Sequence, residues 1–582
     1  MNTFLKSFLA AFLAFVVFTF LLIGIIAAVA GGFSKGSAPT IGKNAVLVLD
    51  LGVDIKEQAS YNDVAELLGN TADTKPGLYD IIRMLDYAAK DTSIKALLIK
   101  AGANMHQPAT LEELRQAVLN FKKTGKKVWA YGNVISQMSY FTASAADRLY
   151  CHPQGGVEWK GYNVTLMFLK GLLDKLQIEP EIFYAGKFKS ATEPFRATEM
   201  SESNRLQTAV WLNEMRINIY TAIAASRKTD TAILQRLAHE GLVRTANDAV
   251  TYGMVDGMMY DDQLQAEIAA YLGMKPDHNI NYVSMAKYAQ IALFRASGSG
   301  KIAIIYASGD IVEGKGDEDN IGGETFSKLI RKARLDEDIK AIILRVNSPG
   351  GSSLASDIIW REVSLARRSK PCVVSMGDVA ASGGYYFSAA ADSIFADKNT
   401  ITGSIGVFSL YANMEHFFKD KLGIHFDGVK TAPFADEGAF NRPLSDIEKK
   451  FIQADVDSIY HTFKKRVSVG RFKHISYIDS IAQGRVWTGI HASENGLVDR
   501  IGGLSDAVSC AASMAKLTSY NLREYPEHKS IFEQLFSFNT YNSFLKSRIR
   551  FSETDILFSQ YEQLKKIFNS PQMKLPSDIR ID

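Results

Sequence analysis

The chain has 582 residues, of which 47% are hydrophobic and 22% charged, with 66 basic against 63 acidic residues and a formal net charge of +3. That length calls for more than one domain, and the apolar fraction is ample for a large core. The near balance of charge excludes an electrostatic case for nucleic-acid binding, and the three cysteines (Cys151, Cys372 and Cys510) contain no C-x-x-C pair, so neither a disulfide framework nor a zinc site is indicated.

From Ser7 to Phe33 no charged residue occurs, a run long enough to span a bilayer as a helix. Lys6 precedes it, and Lys35 and Lys43 follow. Ala28-Val29-Ala30 has the small-x-small form of a cleavage site, but the apolar run exceeds the roughly 7–15 residues of a signal-peptide core. Residues 1–35 are therefore expected to form an uncleaved signal-anchor transmembrane helix, with everything after about residue 40 on one side of the membrane.

Beyond the anchor the chain contains itself twice. Ala96-Leu-Leu-Ile-Lys100 matches Ala341-Ile-Ile-Leu-Arg345 at an offset of 245 positions. The same offset relates Gly132-Asn-Val134 to Gly377-Asp-Val379, Ala145-Ala-Asp147 to Ala390-Ala-Asp392, and Gly161 to Gly406. Gly253-Met-Val-Asp256 matches Gly496-Leu-Val-Asp499 at 243. A collinear series of this kind marks a duplication. Each copy opens with a β-run, Ala45–Leu49 in the first and Ile302–Tyr306 in the second. In the second copy the pattern predicts a helix over Thr325–Leu335, a strand over 341–346, a helix near 354–367, and strands at Cys372–Ser375 and Ile394–Ala396. Short apolar strands alternating with helices read as βα units around a parallel sheet. The expected organisation is an N-terminal repeat over 40–270, a connector over 271–300, a C-terminal repeat over 301–520, and a tail of unassigned role over 521–582.

Two glycine-rich segments stand out in the second repeat. In Asn347-Ser-Pro-Gly-Gly351, two glycines at a strand-to-helix turn permit positive φ and leave backbone amides suited to an oxyanion. In Gly377-Asp-Val-Ala-Ala-Ser-Gly-Gly-Tyr385, small residues flank Ser382 between a strand and a helix, the logic of a nucleophile elbow. A plain helix N-cap is the bland alternative. At the repeat offset Ser382 corresponds to Gln137, and the glycine turn to Met105-His106. The first copy keeps the scaffold without these features, so they point to a site rather than to the fold.

A serine nucleophile needs a base, and none of the ten histidines lies in a comparably unusual segment. The first repeat holds Gly186-Lys-Phe-Lys-Ser-Ala-Thr-Glu-Pro194, and the matching Gly428-Val-Lys-Thr-Ala-Pro433 has lost the Lys-x-Lys-Ser-Ala pattern. Lys187 and Lys189 are candidate bases. With a pKa near 10.4, roughly one lysine in a thousand or fewer is neutral at pH 7, so burial would have to lower it.

Together with Thr402-Gly-Ser-Ile-Gly406 and Arg485-Val-Trp-Thr-Gly489, these motifs closely resemble the signal peptide peptidase A family, also called protease IV, in its long, duplicated bacterial form. The resemblance covers residues 1 to about 510. It implies an α/β architecture in which a Clp-protease/crotonase-like fold is repeated in tandem. It also implies a Ser/Lys dyad, with Ser382 as nucleophile, Lys189 rather than Lys187 as general base, Ser404 orienting the lysine, and the amides of Gly351 and Gly383 as oxyanion hole. It further implies no metal or cofactor, and signal peptides as substrates. The expected assembly is a homotetramer held to the inner membrane by a single pass, its catalytic part on the periplasmic side. The rival readings are a crotonase-like acyl-CoA enzyme without a serine nucleophile, and an inactive membrane scaffold.

Overall fold

A computed structural model of the chain describes residues 6–8, 10–19, 21, 41–60, 75–275, 278–290, 298, 300–317, 319–527 and 571–575. Most of the predicted anchor lies outside these residues. Its described part, 6–8, 10–19 and 21, is helical and mostly exposed. Among the described residues no helix is long and apolar enough to cross a membrane.

The two repeats build two equivalent sheets. The first runs, from one edge, Gly257–Met258, Arg148–Val157, Lys127–Ile135, Ile94–Lys100, Ala45–Asp50 and Tyr282–Ser284. The second contains the matching path Arg500–Ile501, Ser393–Ala396, Cys372–Ala381, Ile339–Ser348, Gly300–Ser308 and Tyr520–Tyr525, and adds Ile401–Gly403 beside the far end of Cys372–Ala381, with Val486–Thr488 antiparallel to it. Every pairing along these two paths is parallel. The central strands are buried almost without interruption, as in Ala341–Val346, because helices cover both faces. Helix Gly323–Leu335 turns Phe326, Ile330 and Ala333 inward, at the spacing of one helical face, and carries Lys332 and Arg334 in its last turn, where they oppose the helix dipole. Helix Ser353–Ser369 is capped by Ser352, whose side chain accepts from the Ala355 amide.

Two segments belong to the sheets although the repeat pattern left them out. Tyr282–Ser284, inside the expected connector, pairs with Val46–Val48. Tyr520–Tyr525, astride the expected boundary of the tail, pairs with Gly300–Ile305 in the same way. Each is the outer strand of its sheet. An edge strand tolerates a looser sequence, and these two share no motif for an offset search to find.

A third sheet joins the halves. Its strand order is Asn320–Gly322, Asp310–Val312, Gly350–Ser352, Gln572–Lys574, Val407–Asn413 and Glu179–Ala185. The last pair is antiparallel and crosses between repeats, from Val407 opposite Ala185 to Asn413 opposite Glu179. This pairing fixes the register of one half on the other.

Candidate active site

The cross-repeat ladder delivers the site. Immediately after Ala185 the chain turns through Gly186 toward Lys189, and immediately before Val407 it passes through Ser404. The register therefore brings the lysine segment of the first repeat against the serine segments of the second. Lys189 Nζ lies 2.8 Å from Ser382 Oγ, 3.1 Å from Ser404 Oγ and 3.3 Å from the Ser404 carbonyl oxygen. All three side chains are buried, with Lys189 2% exposed, Ser382 0% and Ser404 1%. Burial alone lowers the Lys189 pKa to about 7, because an ammonium without water or a carboxylate partner is disfavoured. Lys187, two residues earlier, is exposed. The structure thus separates the two candidate lysines.

Ser382 is not an ordinary helix cap. Its backbone has φ 54° and ψ −112°, and its side chain makes no capping bond to helix Gly383–Ser388. A non-glycine residue held there costs on the order of 1–3 kcal/mol, and the hydroxyl is thereby turned away from the helix amides toward the lysine. The backbone is held by the Ser382 amide donating to the Gly403 carbonyl at 2.9 Å, and the Tyr386 amide donating to the Ser382 carbonyl at 2.8 Å. In the first repeat the equivalent helix, Gln137–Ala143, has a plain cap from Ser136. There the Gln137 amide group is taken up by Gly161 and Lys160.

The glycine segment differs from the expected turn. Gly350–Ser352 is a short strand of the third sheet, not a simple strand-to-helix turn. Gly351 has φ 155°, and a side chain there would lie 2.0 Å from the Ile311 carbonyl oxygen. Only glycine fits between its neighbouring strands. The amide nitrogen of Gly351 lies 3.3 Å from where a Cβ on Gly383 would stand, so the two amides named as an oxyanion pair are neighbours.

Several supporting residues escaped the sequence. Gln207, in the second turn of helix Glu202–Arg227, donates to the Phe188 carbonyl and to Ser190 Oγ on either side of Lys189, and accepts from the Val486 amide of the second repeat. Gly484, with φ 73°, lets the second repeat come up against the lysine backbone; a Cβ there would lie 2.7 Å from the Lys189 nitrogen. Below the site, Arg345 is 0% exposed and forms ion pairs with Glu57 and Glu113 of the first repeat. Asp378 accepts from the amides of Ala109 and Thr110, opening helix Pro108–Lys122. No motif marks a glutamine inside a helix. Arg345 carries a weak clue, a charged residue directly following the apolar run Ala341–Leu344 and preceding Val346.

The three cysteines are free, and among the described residues no group of three or more His, Cys, Asp or Glu side chains could hold a metal ion. The arrangement can perform proton transfer from a serine hydroxyl to a neutral amine beside paired backbone amides, which is the chemistry of acyl transfer.

The chain is similar to known proteins over most of its length. The family model "Peptidase family S49" matches residues 120–275 and 364–518, one segment in each repeat. Protease 4 of Haemophilus influenzae is 37% identical over 520 residues, covering 86% of this chain and 83% of the relative. Protease 4 of Salmonella typhi is 35% identical, covering 84% and 81%. The chloroplastic serine protease SPPA of Arabidopsis thaliana is 32% identical, covering 70% and 61%. Among solved structures, a ClpP1 mutant from Listeria monocytogenes matches 35% of this chain and 94% of its own at 14% identity, with a TM-score of 0.24.

Proposed function

The chain belongs to peptidase family S49 and is a serine peptidase, and from that premise we propose that Ser382 is its nucleophile and neutral Lys189 its general base. The observation that carries this reading is the 2.8 Å contact between Lys189 Nζ and Ser382 Oγ inside a buried site.

In this mechanism Lys189 takes the hydroxyl proton as Ser382 attacks the peptide carbonyl. The tetrahedral oxyanion is stabilised by the amides of Gly351 and Gly383, each worth about 3–4 kcal/mol in comparable sites. The lysine, now protonated, passes its proton to the leaving amine, and an acyl-enzyme remains on Ser382. Lys189 then activates the water that releases it. Ser404 holds the amine through both its hydroxyl and its carbonyl, which fixes the lysine rotamer between the two proton transfers.

The wider reading follows the family. The fold of each repeat is Clp-protease/crotonase-like, residues 1–35 anchor the chain in the inner membrane, and the peptidase part works on the periplasmic side as a homotetramer. Its substrates are cleaved signal peptides. The uncharged, apolar sequence of 7–33 supports the anchor, and the protease names of the relatives support a peptide substrate; the remaining points rest on the family resemblance. The dyad contact favours a hydrolase over an acyl-CoA enzyme, and the buried, neutral-leaning lysine favours an active enzyme over a scaffold.

A fluorophosphonate probe tests the assignment. Labelling of the wild type at Ser382, lost in Ser382→Ala and in Lys189→Ala, is the expected result. Full peptidase activity in Lys189→Ala would remove the lysine from the mechanism.

A further inference from the structure

The third sheet is completed by a strand from far outside either repeat. Gln572–Lys574 lies between Gly350–Ser352 and Val407–Asn413 and pairs antiparallel with both. Without it, these two flanking strands would be separated by a slot one strand wide, about 9–10 Å between their axes. The slot is bordered on one side by the glycine strand and on the other by the strand that follows Ser404.

The register of this strand is informative. Gly351 stands opposite Met573, and Gly350 opposite Lys574. The Leu575 amide donates to the Pro349 carbonyl at 2.9 Å, and the Ser353 amide to the Pro571 carbonyl at 3.3 Å. Hydrogen-bonded pairs alternate along an antiparallel ladder, so Gly351 and Met573 are the bonded pair between these two. A Cβ on Gly350 would lie 2.0 Å from the Met573 carbonyl oxygen and 2.8 Å from the Gly383 amide nitrogen. The Met573 carbonyl therefore lies beside both amides assigned to the oxyanion.

The side chains are held as well. Met573 is wholly buried in the core of the second repeat. Lys574 is nearly buried, and its amine lies 2.8 Å from Asp310 Oδ2. With this strand in place Ser382 has no exposed surface.

We propose that Pro571–Leu575 occupies the substrate slot as a tethered competitor, with the Met573–Lys574 bond at the position of the bond to be cut, and that Asp310 selects a basic residue on the leaving side of that bond. The inference rests on the dyad reading above and deepens it. A substrate enters as an extended strand, which supplies the same ladder to both neighbours. Its residue before the cut fills the apolar site of Met573, and its next residue faces Asp310. The apparent affinity for any substrate is reduced by the fraction of molecules whose slot is filled from within.

The experiment uses the full chain and the rate of fluorophosphonate labelling at Ser382. In Met573→Glu a charge must enter an apolar site, and in Lys574→Glu it must face Asp310, so both variants release the strand. Each is expected to label at least about fivefold faster than the wild type. Added to the Met573→Glu chain, the peptide Pro-Gln-Met-Lys-Leu is expected to restore slow labelling, whereas Pro-Gln-Met-Glu-Leu is not; Asp310→Lys in that chain should reverse the order. Equal labelling rates in wild type and both variants, with Ser382 labelled in each, would overturn the tethered competitor. Equal potency of the two peptides would overturn the role of Asp310. No labelling in any chain would instead overturn the dyad reading, and this inference with it.

Discussion

Lys189 and Ser382 stand 193 positions apart and in different repeats, yet the amine of one lies 2.8 Å from the hydroxyl of the other. The relationship follows from the ladder between Glu179–Ala185 and Val407–Asn413. A slip of one residue in that ladder would turn the strand's side chains to the other face and shift the lysine along the sheet. Each copy of the scaffold now carries a different half of the candidate site, Lys189 in the first and Ser382 in the second.

The first prediction concerns pH. Burial holds Lys189 at about 7, and the base must be neutral to act. The expected kcat/KM for an uncharged peptide therefore rises about tenfold per pH unit below 7 and levels above it. A profile flat from pH 5 to 9 would contradict the role of Lys189. Stability runs in the same direction. The folded pKa is depressed below the unfolded value of about 10.4, so between about 7 and 10.4 the unfolded chain binds more protons, and stability rises with pH. The cost of burying the amine is complete below about pH 7, on the order of 5 kcal/mol. Lys189→Met should thus abolish activity but raise Tm at pH 7, with the gain shrinking toward pH 10.

Ser404 offers a smaller and cleaner perturbation. Its hydroxyl lies 3.1 Å from Lys189 Nζ, and its carbonyl also reaches the amine. Ser404→Ala removes only the first contact. A hydrogen bond to a charged group is worth about 1.5–3 kcal/mol, so kcat/KM should fall about 10- to 100-fold with little change in Tm. Steady-state kinetics beside a thermal melt would separate this from unfolding.

Gln207 should behave as a positioning residue. It ties both sides of Lys189 to Val486 across the repeat boundary. Gln207→Leu keeps the volume and removes the bonds. The lysine segment then loosens and water reaches the amine, so its pKa rises toward the ordinary value. The expected signature is a fall of about tenfold in kcat, with the acid limb of the pH profile moved to higher pH. A change in Tm with an unmoved limb would indicate a merely structural role.

The limits of the sequence reading have physical causes. Runs such as Ala341–Val346 betray buried strands directly, since a strand covered on both faces must be apolar throughout. The repeat offset exposed Ser382 because its counterpart Gln137 occupies a plainly capped helix. Residue spacing left Lys187 and Lys189 equivalent; the family resemblance favoured the second, and burial separates them in the structure. The strand at Gln572–Lys574 was invisible, because three residues are too short for a polar–apolar alternation to stand out from chance, and they gain their conformation from the slot they fill. Gln207 and Glu57 were equally silent. Their importance lies in partners more than 200 positions away, and nothing local records such a partner.

The last prediction addresses what holds the two repeats together. Arg345 is buried within strand Ile339–Ser348 of the second repeat, and its guanidinium is met by Glu57 and Glu113 from the first. Glu57 also accepts from Asn347 Nδ2 at 3.0 Å, and Glu113 from the Leu504 amide at 2.9 Å. Such a cluster adds little net stability over a well-packed apolar one, but removing one member strands the others in a medium that cannot solvate them. Arg345→Met should therefore cost about 3–5 kcal/mol, seen as a lowered midpoint in urea. Adding Glu57→Gln and Glu113→Gln to Arg345→Met should recover part of that loss, since no uncompensated charge then remains. If the single variant is as stable as the wild type, the ion pairs do not couple the repeats. The same geometry predicts that residues 300–582 alone yield no peptidase, because they carry Ser382 without Lys189 and Arg345 without either carboxylate.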